Sequence, residues 1–164
     1  MSCLTLPDKL AALAPQLESR FPMFKKIVLA TDGSEHADRA LALAKSLASE
    51  DGAALTVVHV VQRFASGRSA QLPVHADAQE VEAKVRKQVA ELSDEGLNVS
   101  SKIINDIKLQ PGEDIADVAR DIGADVIVVG TRGHSAIRGL LLGSVAQRLL
   151  HIAPCPVLAV PPAS

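Results

Sequence analysis

Gly130, Gly133, Gly139 and Gly143 fall within fourteen residues of one another. The apolar run Val126-Ile127-Val128-Val129 precedes them. Ser144 follows, and opens a segment with helical apolar spacing from Val145 to Ile152. A buried strand, a glycine-rich loop and a helix N-terminus, in that order, hold phosphate in open α/β folds. Unpaired backbone N–H groups point at the anion there, and the helix dipole favours negative charge. Glycine lets the backbone approach a ligand with no Cβ in the way. Ser144 can cap the helix and still donate its hydroxyl to a phosphate, or it can be a plain cap with the glycines serving only tight turns. Arg132 and Arg138 bring positive charge to the loop, or point into solvent.

Several chemistries are excluded by spacing. No Gly-Lys-Ser/Thr occurs, so the loop is not a P-loop. The glycines do not space as GxGxxG, and the loop follows the fourth strand rather than the first. Gly133-His134-Ser135-Ala136-Ile137 misses the nucleophile elbow, because Ile137 stands where its last glycine is needed. His36, His59, His75 and His151 show no metal-ligand spacing. His134 lies in the loop, where it either faces solvent or reaches a terminal phosphate.

A second constellation lies near the start of the first strand. Lys25-Lys26-Ile27-Val28-Leu29-Ala30-Thr31-Asp32-Gly33-Ser34 runs from an apolar strand into a turn. Asp32, with Glu35 three residues on, reads either as a ligand contact or as the N-cap of a capping box. Ser34 is an alternative cap. With His59-Val60, Pro154-Cys155-Pro156-Val157-Leu158, and the form Gly130-x-x-Gly133, nine residues, Gly143-Ser144, these segments closely resemble the universal stress protein family in its ATP-binding branch. The resemblance runs from about Lys25 to Val160. It implies a fold of the adenine-nucleotide alpha hydrolase-like kind. It further implies that Asp32 and Val60 hold the adenosine end of ATP and that Gly130 lies beside the ribose. Gly133, Gly143, Ser144 and Val145 would hold phosphates, mostly through backbone N–H, with magnesium bridging phosphate oxygens. Thr31, beside Asp32, and Arg132, beside Gly133, join the candidate set.

The elements that must position these residues follow from periodicity. Lys25–Thr31, Ala54–Val60 and the run before Gly130 are continuously apolar, as in a parallel sheet covered on both faces. Leu97–Ile104 alternates, as at a sheet edge. A last short strand, Cys155–Val160, is bracketed by prolines. Helical stripes lie between them: Ala37, Ala40, Leu41, Ala44, Leu47 and Ala48; then Ala78, Val81, Val85, Val89 and Leu92; then Ile115, Val118, Ala119 and Ile122. The order βαβαβαβαβ predicts a doubly wound, five-stranded parallel sheet in the order 3-2-1-4-5 with helices on both faces. Ligands in such sheets bind outside the carboxyl ends of the strands. The loops after strands one, two and four, with Asp32, Val60 and the glycine loop, are therefore the candidates.

The hydrophobic fraction is 48% and the aromatic fraction 2%, so the core must be aliphatic. Without Trp or Tyr there is no stacking platform for single strands, and a net charge of -2 argues against a nucleic-acid partner. Cys3 and Cys155 form no CxxC pair, which suits a reducing cytoplasm. No apolar run reaches membrane-spanning length. Asp8 and Lys9 interrupt the first apolar stretch and argue against a signal peptide. Residues 1–24 read as an appended helix on Leu6, Leu10, Leu13 and Leu17, with Pro15 as a break; residues 25–164 read as the universal stress protein domain. The apolar last strand at a sheet edge is expected to pair with a second copy in a homodimer. The function expected is nucleotide-dependent regulation through ATP binding and an unidentified protein partner. The rival is a slow ATPase or self-phosphorylating enzyme using the same pocket; the loop offers no carboxylate and no lysine for such chemistry.

Overall fold

Ile27-Val28-Leu29-Ala30 forms the centre of the sheet because its side chains find an apolar layer on either side. The computed structural model describes residues 23–62, 74–106, 108–133 and 142–162. The elements are β1 (Lys26–Ala30), α1 (Glu35–Asp51), β2 (Ala54–Gln62), α2 (Val74–Asp94), β3 (Val99–Asp106), α3 (Pro111–Ile122), β4 (Val126–Gly130), α4 (Ser144–Ile152) and β5 (Val157–Val160). The strands pair in the order β3-β2-β1-β4-β5, all parallel, as the alternation of strands and helices requires.

Successive side chains along each strand go to opposite layers. Ile27, Leu29, Leu55, Val57, Val126 and Val128 pack with Ala40, Ala44 and Ala48 of α1 and with Val85 and Leu92 of α2. Val28, Ala30, Val58, Ile127 and Val129 pack with Ile115, Val118 and Ala119 of α3 and with Ala146 and Leu149 of α4. The alanine stripe brings α1 close to the sheet, and its leucines at 41 and 47 pack from the flanks. Fully burying one such aliphatic side chain contributes about 1.5–3 kcal/mol, so two aliphatic layers hold this sheet, with Phe24 packed at the margin of the first.

Strand limits differ from the sequence reading by a few residues. β3 begins at Val99 and runs on to Asp106 beside the extended β2. β5 begins at Val157 rather than Cys155, because Pro154 and Pro156 have no N–H to give a ladder. The Pro156 carbonyl still accepts from Ile127 N–H at 3.0 Å. At the amino ends of the strands, Asp125 Oδ2 accepts from the backbone N–H of Lys25 at 2.7 Å and of Lys26 at 2.9 Å. Most of the expected N-terminal helix falls in residues 1–22, outside the described residues. No helix among the described residues is long and apolar enough to cross a membrane. The chain leaves β1 toward β2 and β3 and returns to β4, so β1 and β4 are neighbours whose connections diverge. The crevice at their carboxyl ends is the topological switch point.

Candidate functional site

One wall of that crevice is the turn from β1 to α1. Thr31 N–H donates to the Val58 carbonyl at 3.0 Å, and Thr31 Oγ1 accepts from Gly33 N–H at 3.1 Å. Ser34 is buried and is the N-cap of α1; its Oγ accepts from Ala37 N–H at 3.2 Å. Asp32 therefore does not cap the helix. Its Oδ1 accepts from Ser34 N–H at 3.0 Å and from Ser34 Oγ–H at 2.6 Å. Both residues suit a cap by type, and the one adjacent to the first helical turn takes the role.

The opposite wall is the glycine loop. Thr131 N–H donates to the Val160 carbonyl at 2.8 Å, and the Thr131 carbonyl accepts from Gly143 N–H at 2.6 Å, which closes the loop at its base. A Cβ built on Gly133 would collide with the Asp32 carboxylate. The two walls thus meet at Asp32 and Gly133. A Cβ on Gly130 would lie 3.0 Å from the Arg132 carbonyl oxygen and 3.4 Å from that of His36 in α1. A Cβ on Gly143 would meet only Thr131 O at 3.4 Å and Arg132 Cα at 3.9 Å. Arg132 Nε is buried with no hydrogen-bond partner among the described residues. Native structures rarely leave such a group unpaired unless water or a ligand supplies the acceptor.

At the start of α4 the sequence reading needs correction. Gly143, not Ser144, is the N-cap, with φ -71° and ψ 157°. Ser144 is the first helical residue, and its hydroxyl caps nothing. The reason is tertiary: the bond to Thr131 sets Gly143 in extended backbone just before the helix. That bond also engages Gly143's own N–H, so the amides left without intrahelical acceptors at this helix start are those of Ser144, Val145 and Ala146. The amide of Ala146 is an addition that residue type could not reveal. Gly139, Arg138 and His134 lie outside the described residues.

Val60 lies near the carboxyl end of β2, in register with Ile104 of β3 and packed against the layer that holds α3 and α4. His59, beside it, is buried, and its Nδ1 lies 2.9 Å from the Thr31 carbonyl oxygen, tying β2 to the β1–α1 turn. A histidine within the apolar run Val57-Val58-His59-Val60-Val61 was the sequence signal for this contact. Ser144 and Val145 also line a cavity of about 410 Å3 whose far wall is the first turn of α3, including Pro111 and Gly112. Arg148 and Glu113 bridge the two helices at 2.6 Å. On that turn of α3, burial and then the nearby carboxylates of Asp106 and Asp117 push Asp114 above the usual carboxylate range. The described residues contain no cluster of three side chains able to ligate a metal.

A doubly wound parallel sheet with an anion-ready helix N-terminus at its switch point defines a class of α/β binding proteins, and comparison narrows the class. The profile of the universal stress protein family matches residues 23–161, and the chain belongs to that family. It is 39% identical over 140 residues to the universal stress protein in the QAH/OAS sulfhydrylase 3′ region of Thermus aquaticus, covering 84% of this chain and 99% of the relative. The solved structure of MJ0577, a universal stress protein of Methanocaldococcus jannaschii, superposes with a TM-score of 0.71 at 29% identity, covering 87% of this chain and 99% of that one. The universal stress protein of Archaeoglobus fulgidus in complex with dAMP superposes with a TM-score of 0.61 at 29% identity, covering 84% and 98%.

Proposed function

We propose that this protein binds an adenine nucleotide, ATP with magnesium, in the crevice between the β1–α1 turn and the start of α4, and that the bound state regulates a partner protein. The observation that carries the reading is that the N-terminus of α4, with the Ser144, Val145 and Ala146 amides free of intrahelical acceptors, opens beside the backbone of Arg132, whose buried Nε has no partner among the described residues. Amides and guanidinium suit phosphate oxygens. Asp32 and Val60 would receive the adenosine end, with Thr31 holding the turn beneath it. Gly130 would lie beside the ribose, and Gly133 and Gly143 would let phosphates approach the backbone. Magnesium would be held by phosphate oxygens. The adenine nucleotide held by the Archaeoglobus relative supports the ligand class.

The binding unit would span residues 25–164 with residues 1–24 appended, work in the cytoplasm, and form a homodimer through β5. A second reading gains one observation. The fold brings the Asp32 carboxylate against Gly133, so a loop with no carboxylate of its own acquires one. A phosphate brought back toward Gly133 with a cation would then lie beside a base, which supports slow hydrolysis or self-phosphorylation at the same pocket.

Mass spectrometry of the nucleotide that copurifies, followed by calorimetry with ATP, with and without magnesium, tests the proposal. Adenine nucleotide in the preparation and magnesium-dependent ATP binding are expected. Absence of both overturns it. Phosphate release lost in Asp32→Asn would favour the second reading.

A further inference from the structure

Across the β1–α1 turn from the crevice lies α2, and one of its lysines reaches the turn. Lys84 Nζ donates to the Gly33 carbonyl at 2.8 Å and to Asp38 Oδ2 at 2.9 Å. Gln88 Nε2 donates to Asp38 Oδ1 at 2.9 Å. One turn earlier on α2, Val81 fills the space above Gly33; a Cβ there would lie 2.6 Å from Val81 Cγ1. Gly33 has φ +77°, so the backbone as well as the space demands glycine.

A cation beside the N-terminus of α1 opposes the helix dipole, which by itself favours anions. The Asp38 carboxylate offsets that cost, and the Gly33 carbonyl gives the ammonium a second acceptor. The Gly33 carbonyl and the Ser34 N–H belong to one planar trans peptide, so they point in opposite directions. With Lys84 holding the carbonyl on the α2 side, the Ser34 N–H is aimed at the crevice side, where it meets Asp32 Oδ1 at 3.0 Å. We infer that Lys84 is a positioning residue for Asp32, acting through the Gly33–Ser34 peptide. It orients the adenosine end of the site and leaves the phosphate end to the glycine loop. The inference deepens the nucleotide reading and rests on it for its ligand.

The test uses the full chain and its Lys84→Met variant, with AMP and inorganic tripolyphosphate as separate probes. The Lys84 and Asp38 side chains are 38% and 41% exposed, so solvent screens their pairing. The expected loss of AMP affinity is therefore about fivefold, below the full value of a charged hydrogen bond. Tripolyphosphate affinity stays unchanged. Gln88→Ala, which leaves the Lys84–Gly33 bond in place, keeps AMP affinity while losing some stability. Amide exchange in the free protein gives a reading independent of any nucleotide: the Ser34 amide speeds in Lys84→Met and the Val145 amide does not. If Lys84→Met does not fold, Lys84→Gln is read in the same way. Equal weakening of both probes, or unchanged AMP affinity in a protein that binds AMP, overturns the inference. A parent that binds neither probe refutes the nucleotide reading instead, and the Ser34 exchange rate then decides the role of Lys84 alone.

Discussion

Replacing Gly143 by alanine separates a glycine kept for its ligand from one kept for packing. Its φ of -71° and ψ of 157° are open to any L residue. The added Cβ would stand 3.4 Å from Thr131 O and 3.9 Å from Arg132 Cα, ordinary van der Waals distances. Restricting the unfolded chain stabilises by about 0.4–1 kcal/mol. Losing glycine's preference over alanine at an N-cap costs a similar amount, about 0.5–1 kcal/mol. Folding stability should therefore change by less than about 0.5 kcal/mol. Binding should respond differently. A side chain at the N-cap lies over the amides of the second and third helical residues, here Val145 and Ala146. A methyl group in that place displaces a phosphate oxygen from one charge-assisted hydrogen bond. That is worth about 1.5–3 kcal/mol, or roughly 10- to 100-fold in Kd. Gly133→Ala gives the contrast: its Cβ would drive into the Asp32 carboxylate, and relieving that clash should cost about 1–3 kcal/mol of stability. Urea unfolding and ATP calorimetry on both variants make the measurement. Gly143→Ala that binds ATP like the parent, or that loses more than about 2 kcal/mol of stability, refutes the reasoning.

Leu149 is fully buried and anchors α4 against the sheet, so Leu149→Ala should cost about 3 kcal/mol in urea unfolding. The Lys25 and Lys26 amides hold the Asp125 carboxyl below its usual range, so its contribution is present above pH about 4 and is lost as pH falls through the lowered value. Asp125→Asn should flatten that acid limb of the stability profile; an unchanged limb assigns it to other groups. In β5 the Pro156 and Val160 carbonyls face β4, so the alternating parallel ladder turns the N–H groups of Val157 and Ala159 outward. If the protein forms the homodimer proposed through β5, Ala159→Pro should yield a folded monomer in light scattering; a monomeric parent refutes that dimer, and a variant that stays dimeric moves the interface elsewhere.

What was legible in the sequence was whatever is fixed by a local period. The aliphatic runs at 27–30, 55–58 and 126–129 marked the covered central strands, and the alternating run ending in Ile103 and Ile104 marked the edge. The prolines at 154 and 156 excluded a fully paired central strand, and β5 lies at the edge, paired with β4 alone among the described strands. What escaped was decided by contacts across the fold. Asp-Gly-Ser-Glu contains two good caps, and only the position where α1 begins selects Ser34. Ser144 lost its expected cap to Gly143 because a hydrogen bond from Gly143 to Thr131 sets the loop. Lys84 carried no signal, since a lysine on an amphipathic helix reads as a solvated face until the turn beneath it is in place.

The Asp32–Gly133 contact also limits how a nucleotide can lie. Two like charges about 4 Å apart repel by roughly 4 kcal/mol at the effective dielectric of a protein surface. One amide-to-phosphate hydrogen bond returns only about 1.5–3 kcal/mol. A phosphate set against Gly133 with Asp32 ionised and unmoved is therefore unfavourable without a cation between them. A ribose hydroxyl or an adenine amino group in the same place would instead donate to the carboxylate and meet no penalty. Under the proposed reading, polarity along the crevice would run from neutral donors toward Asp32 to anionic oxygens toward the Ser144, Val145 and Ala146 amides. A divalent ion is needed in proportion to how many phosphates crowd back toward the carboxylate. Magnesium should consequently matter more for ATP than for AMP, and the calorimetric titrations with and without the metal read that difference directly.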